Sequence, residues 1–158
     1  MEGSRALLFA LVLIAAASAP VACAADHPKQ EAASPSRTAV DRVVADYVGL
    51  YARPTLDRWR DLFHESLVVA YPSDDGGIRA RGLEEFFKAQ KDYFETGRRI
   101  SERLENVRVD EGRRMARVSA DFVFVDEGEE RRGRLGLHLI ETRDGWKITA
   151  VIFSYDQA

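Results

Sequence analysis

The second half of the chain restricts the fold most. Four strand-like stretches, near Ile100–Asp110, Met115–Asp126, Glu130–Arg143 and Trp146–Tyr155, are separated only by the turn sequences Glu111-Gly112, Glu127-Gly128 and Asp144-Gly145. Connections this short leave no room for a crossover, so sequential strands must run antiparallel. Upstream the periodicity is helical. Val40, Val43, Val44, Tyr47 and Tyr51 recur at helical spacing from Thr38 to Tyr51, with Thr38 or Ser36 as N-cap and Pro54 as the stop. Thr55 is placed to cap a short second helix whose stripe is Leu56, Trp59, Leu62 and Phe63. A strand at Leu67–Tyr71 stops at Pro72, and the turn Ser73–Gly77 leads back through Ile78–Arg81. Gly82 then opens a third helix with Leu83, Phe86, Phe87, Gln90 and Phe94 on one face. Helices first and a long meander afterwards predict an α+β domain: about three N-terminal helices packed on one strongly curved, mostly antiparallel sheet.

Ahead of that domain lies a different kind of segment. The run Ala6–Ala17 is wholly apolar and no charge appears from Ala6 to Ala25, so residues 1–25 read as a signal peptide. The uncharged stretch is 20 residues long, enough to span a bilayer, but Ser18, Pro20 and the alanines weaken its second half. Ala22-Cys23-Ala24 and Cys23-Ala24-Ala25 offer small-residue cleavage sites. Cys23 also stands where a lipoprotein cysteine would stand, although Pro20 occupies the usual leucine position. The expectation is an exported protein, periplasmic or secreted, meeting a membrane only through the signal or a lipidated Cys23. Residues 26–37, with two prolines and no hydrophobic larger than alanine, read as a flexible tether before a folded domain at 38–158.

Charge and chemistry narrow the function classes. The 23 basic and 26 acidic residues are interspersed and leave a net charge of −3, which gives no electrostatic footprint for nucleic acid. One cysteine excludes an internal disulfide and a multi-thiolate metal site. His27, His64 and His138 lack metal-ligand spacing, and there is no Gly-rich phosphate loop, so neither metal nor cofactor is expected.

Several segments together resemble the SnoaL-like branch of the nuclear transport factor 2 (NTF2) superfamily, whose fold is also called cystatin-like or a cone-shaped α+β barrel. They are Leu62–Val69 before Pro72, Arg81–Phe87, Gly133–Leu137, and Asp144-Gly145-Trp146-Lys147-Ile148 leading to Phe153-Ser154. The resemblance spans about Thr38 to Asp156. It implies a conical, mostly apolar pocket between sheet and helices with a few polar groups that orient a ligand. It implies no single activity, because the superfamily includes isomerases, epoxide hydrolases, polyketide cyclases, dehydratases and many proteins without known activity.

Within such a pocket the candidate ligand-binding residues are Tyr47 and Tyr51 on the first helix, Trp59 on the second, Gln90 on the third and Tyr71 at the end of the first strand. The aromatics also make good core residues. Gln90 is more informative, because an amide on a stripe of Leu and Phe must be hydrogen-bonded if buried. The resemblance to ketosteroid isomerases would place a carboxylate base before a proline at the end of the first strand, where this chain has Tyr71-Pro72. A phenol is a poor base at neutral pH, so Tyr71 is left as a hydrogen-bond donor. His138 is the one histidine inside a predicted strand and the remaining general-base candidate, yet alternation groups it with Arg134, Gly136 and Ile140, away from Leu135, Leu137 and Leu139. Asp121 falls on the corresponding outer face, where a cross-strand ion pair is expected.

The favoured reading is a domain that binds a small, largely apolar ligand or partner. Its rivals are a lyase, isomerase or hydrolase using Tyr47, Tyr51, Tyr71 or His138 as acid–base groups, and an interaction module whose cone is filled by its own aromatics. A cavity of at least about 300 Å³ separates the last from the others. Convergence of two ionisable side chains in it separates the first two. Finally, Trp146, Ile148, Ala150 and Ile152 are expected to face the helices, which leaves Val123, Val125, Ile140, Val151, Phe153 and Tyr155 on the opposite face as an apolar patch that would pair two chains in a homodimer.

Overall fold

The structure, a computed structural model, describes residues 35–156. The segment read as a signal, Cys23 and most of the tether lie outside the described residues. Helix α1 (Pro35–Gly49), a 3-10 turn (Arg53–Thr55) and helix α2 (Leu56–Arg60) precede strands β1 (Phe63–Pro72) and β2 (Ile78–Gly82). Helix α3 (Leu83–Glu95) and strands β3 (Ile100–Glu111), β4 (Met115–Asp126), β5 (Glu129–Thr142) and β6 (Gly145–Tyr155) complete the order.

Both ends of α1 depart from expectation. Proline fits a first helical turn because its missing N–H has no intrahelical partner there, so the helix begins at Pro35 and Thr38 lies inside it. It stops at Gly49, short of Pro54. The Leu50 N–H still donates to the Asp46 carbonyl at 2.9 Å, but Tyr51 donates to Val48 at 3.3 Å and Ala52 to Leu50 at 2.8 Å as the chain tightens into a corner. Thr55 does not cap α2. Its hydroxyl donates back to the carbonyls of Leu50 (2.8 Å) and Ala52 (3.2 Å), which locks that corner and holds Tyr51 with its ring 5.1 Å from Trp59.

The sheet has six strands in the order β2-β1-β6-β5-β4-β3 and does not close, so β2 and β3 are its edges. The meander β3 to β6 is antiparallel throughout, as its short turns demand, while β1 joins β6 in parallel. On the inner face Val118, Phe122, Leu135, Leu137 and Leu139 alternate as expected and pack against Val40, Tyr47, Trp59 and Phe86 of the helices. Leu137, Leu139 and Ile148 are fully buried, each contributing roughly 1.5–3 kcal/mol relative to exposure.

Alternation fails at one point on β6. Leu139 pairs with Ile148 but His138 pairs with Ala150, so Thr149 is an extra residue, a β-bulge. The phase flips there. Trp146 and Ile148 face inward, but Ala150 and Ile152 do not, and Val151, Phe153 and Tyr155 take the inner face in their place. This corrects the expected dimer patch. Val151 and Phe153 belong to the interior. Val123 is on the outer face but has no exposure, because its register neighbours Arg103 and Arg132 close a ring of ion pairs with Glu105 and Glu130, at 3.0–3.3 Å, and their stems cover it. Of the six patch residues Val123, Val125, Ile140, Val151, Phe153 and Tyr155, only Val125 and Ile140 keep some exposure on the outer face.

A second bulge interrupts β3 between Glu105 and Arg108, with Asn106 in the left-handed region at φ 52°. The Asn106 side-chain amide donates to Asp121 Oδ2 at 2.7 Å. Asp121 therefore sits outside the interior as expected, but its hydrogen bond comes from an amide rather than from a cation.

Candidate functional site

A cavity of about 250 Å³ lies between the helices and the inner face of β3 to β6. Four residues named from sequence line it: Tyr47, Tyr51, Trp59 and Gln90. Tyr71 does not. Its ring stacks on Phe153 at 5.0 Å with Arg81 over its face at 5.6 Å, so Phe153 stands between it and the interior. His138 is exposed on the outer face, as its phase on β5 predicts.

The helical wall is fixed by aromatic packing and two hydrogen bonds. Trp59 Nε1 donates to the Tyr47 carbonyl at 2.8 Å and its ring meets Phe63 edge-on at 4.6 Å. The Tyr51 hydroxyl donates to Gln90 Oε1 at 2.5 Å, so the protein itself supplies the partner that this amide was expected to need.

Two charged residues that the sequence reading passed over complete the lining, Glu102 and Arg131. Glu102 lies on β3 between Ile100 and Leu104, on the same face as both. That period of two was the available signal, since an isolated glutamate between inward apolar residues is an inward glutamate. As a whole residue it is partly buried, but its Oε1 is sealed from solvent without a hydrogen-bond partner. No other buried side-chain nitrogen or oxygen among the described residues lacks one. Burial pushes its carboxyl up to about 7, because a low-dielectric site disfavours the charged form.

The phenols respond to the same environment. Burial raises Tyr47 and Tyr51 far above the ordinary tyrosine range, and the nearby Glu102 charge raises both further. Tyr155 is raised by burial and, to a smaller extent, by Glu102. The carboxyl is thus within electrostatic reach of three phenols that stay protonated, and hence remain donors, at any physiological pH. Glu102 itself populates both its forms near neutrality, the condition for general acid–base work.

At the rim, Tyr93 donates to Asp126 Oδ2 at 2.5 Å and Arg98 Nε to Oδ1 at 2.7 Å; the Arg98 hydrogen bond is the main reason that Asp126's carboxyl is held below its usual range. The Arg131 guanidinium lies over two rings, 4.9 Å from Tyr155 and 5.2 Å from Phe124. No group of three or more His, Cys, Asp or Glu side chains among the described residues is arranged to hold a metal ion.

The volume falls short of the roughly 300 Å³ expected of a ligand site, so on size alone it favours a cone filled by its own aromatics over a drug-sized site. An engineered cavity of about 150 Å³ holds benzene, so 250 Å³ takes one ring with substituents and little more. The aromatics of the cone fill much of it but not all, and ionisable groups do converge on what remains.

Solved structures share this architecture. A protein from Kribbella flavida superposes with a TM-score of 0.65 at 14% identity, over 77% of this chain and 91% of its own. A candidate dehydratase of the NTF2-like family from Streptomyces avermitilis gives 0.63 at 16%, over 77% and 96%. A candidate scytalone dehydratase from Novosphingobium aromaticivorans gives 0.63 at 17%, over 76% and 83%. At such identities the likeness concerns the fold alone. No curated protein matches the sequence. The model of the SnoaL-like domain family matches residues 40–156, which is nearly all of the described chain from the middle of α1 to the end of β6, and the protein therefore belongs to the SnoaL-like domain family within the NTF2-like fold.

Proposed function

We propose that this domain is a small-molecule enzyme of the lyase or isomerase kind, moving a proton on a one-ring substrate, with Glu102 taking and returning that proton. The observation that carries the reading is the sealed, unpartnered Glu102 Oε1 in a cavity that three protonated phenols share. A buried carboxyl oxygen without a hydrogen bond costs stability, and the carboxyl's other oxygen, which is not sealed, is the one a bound C–H or O–H acid would meet. Proton abstraction next to a carbonyl puts negative charge on the carbonyl oxygen. Tyr47 and Tyr155, as protonated donors in a low-dielectric site, would stabilise that oxyanion. Tyr51, already donating to Gln90, would hold the amide in place. Returning the proton to a second carbon completes an isomerisation, and handing it from Glu102 to a departing β-hydroxyl, as the C–O bond breaks and water leaves, completes a dehydration. Two structural neighbours are described as candidate dehydratases, the same reaction class. An extracytoplasmic place of action is part of the proposal and rests on the Ala6–Ala17 run. Binding without turnover is the second reading, favoured by the closed Tyr51–Gln90 pair, which leaves two of the cavity's polar groups already partnered.

Solvent-deuterium incorporation separates these readings. Small cyclic enones and β-hydroxy ketones in D2O, followed by proton NMR, should exchange or react with the native protein, and Glu102→Gln should slow this by roughly 10²–10⁴-fold, the usual worth of a general base. Exchange that Glu102→Gln leaves unchanged would refute the catalytic role.

A further inference from the structure

We infer that the substrate is a small organic anion, a one-ring carboxylic acid whose carboxylate is bound by Arg131 at the rim while its reacting end lies at Glu102. The inference rests on the reading of this cavity as a substrate site. It starts from register. Glu102 pairs with Phe124 and Phe124 with Arg131, so the three occupy one rung across β3, β4 and β5, and all three line the cavity. Two strand spacings put the Glu102 and Arg131 backbones roughly 10 Å apart with the phenyl ring between them. That ring keeps the cavity's one carboxylate and one guanidinium from pairing, and no ion pair joins them.

Arg131 is also uncommitted elsewhere. Its five N–H donors make no hydrogen bond or ion pair with any described residue. The carboxylate whose field it feels, Asp126, has both oxygens engaged, one by Arg98 and one by Tyr93. Glu130, next to it in sequence, is bound by Arg103 and Arg132. The two rings beneath the guanidinium fix its position through cation–π attraction and leave its N–H edge open, the arrangement that takes a carboxylate through two parallel hydrogen bonds. A lysine would offer neither the stacking nor the fork. The length and volume agree: a single ring with a short acid chain spans the distance from rim to Glu102 and fits about 250 Å³. The acid group is then held by Arg131 on the far side of Phe124, so that it does not approach the Glu102 carboxyl.

The test compares an acid with its isosteric neutral amide, cinnamate with cinnamamide, by calorimetric titration at pH 7. Cinnamate should bind at least about tenfold more tightly, a factor within the range of one charge-assisted bidentate contact. Arg131→Gln, at an exposed position where folding is checked by its unfolding midpoint, should reduce cinnamate to the affinity of the amide and leave the amide unchanged. Arg131→Lys should restore only part, and Glu102→Gln should keep the preference for the acid. Equal binding of acid and amide by the native protein, or a preference that survives Arg131→Gln, overturns the inference while the proton-transfer reading of Glu102 stands. Binding of neither probe at millimolar concentration overturns both. If deuterium exchange does not depend on Glu102 but the acid preference does depend on Arg131, the proton-transfer reading alone falls.

Discussion

Replacing Glu102 by glutamine should make the protein more stable, and only at the pH values where the carboxyl is charged. The sign follows from the direction of the shift. A carboxyl whose folded-state pKa is raised to about 7 from its usual 4.5 holds its proton more tightly when folded than when unfolded. Its contribution is therefore most favourable below about pH 4.5, is lost as the pH rises from there to 7, and is fully adverse above 7. This is opposite to the common surface carboxylate. The interval from 4.5 to about 7, at 1.36 kcal/mol per pH unit, sets a ceiling of about 3 kcal/mol. Because one oxygen is sealed while the residue as a whole is only partly buried, about 1–3 kcal/mol is the expected size. Glutamine keeps the shape and removes the charge.

The assay is urea unfolding of the native and Glu102→Gln proteins at intervals between pH 4 and 9. Taking the difference removes the opposite contributions of Asp126, Glu127 and Glu130, whose pKa values are lowered by hydrogen bonds from Arg98, the Arg99 backbone and Arg103. The two proteins should be nearly equal at pH 4, and the variant's advantage should grow through pH 5–7 and level off by pH 8. A difference that is flat with pH, or a variant less stable at pH 8 than at pH 4 relative to native, would show that the carboxylate is solvated or paired, and the catalytic reading would lose its foundation.

Two further substitutions test the packing. Gly133→Ala places a Cβ 2.6 Å from the Phe122 ring and into the Ser154 carbonyl, so it should cost about 1–3 kcal/mol in urea unfolding; an unchanged midpoint would mean that β5 and β6 separate there more easily than their pairing indicates. Phe153→Asp removes a ring that packs on Tyr71 and Phe122 and should destabilise by about 2–4 kcal/mol, low in the range for aromatic truncation because the ring is partly buried. Were Phe153 an outer-face residue, the midpoint would stay and only the association state would change.

What the sequence showed was whatever two rules could reach: periodicity within an element, and turn length between elements. The meander, the three helices and the inward leucines of β5 follow from these. So do Tyr47, Tyr51, Trp59 and Gln90, which helical spacing places on one side. The wrongly assigned faces of the last strand have one cause. Period-two reasoning carries a phase from the first residue of a strand to the last, and one inserted residue reverses it. At Thr149 nothing in Lys147-Ile148-Thr149-Ala150 marks the insertion, so every residue after it was assigned to the wrong face. Tyr71 was misplaced for another reason. Its strand position was right, but whether an inward ring reaches the cavity depends on what stands in front of it, here Phe153. Glu102 was legible by the same rule, since it lies between Ile100 and Leu104 at the strand period of two and so shares their inward face.

The same bulge that defeated the sequence reading also builds the site. Continued alternation along β6 would have presented Ala150 and Ile152 to the helices and turned Phe153 and Tyr155 outward. The cavity would then lose two of its aromatic rings, Arg131 would lose one of the two it lies over, and Tyr71 would have no Phe153 to stack on. Bulges that re-aim side chains concentrate near active sites for this reason. The rung Glu102–Phe124–Arg131 lies on regular pairing, short of the Asn106 bulge, and keeps its register without help. A regular rung holds apart two opposite charges that would otherwise pair, and an irregular strand supplies the ring that fixes one of them. In the empty domain the carboxyl is pushed toward neutrality, and the guanidinium, held over its two rings, makes no ion pair with a described residue. A molecule with an acidic hydrogen at one end and an anion at the other would serve both groups at once, which is the physical reason for proposing a site here rather than a packing defect.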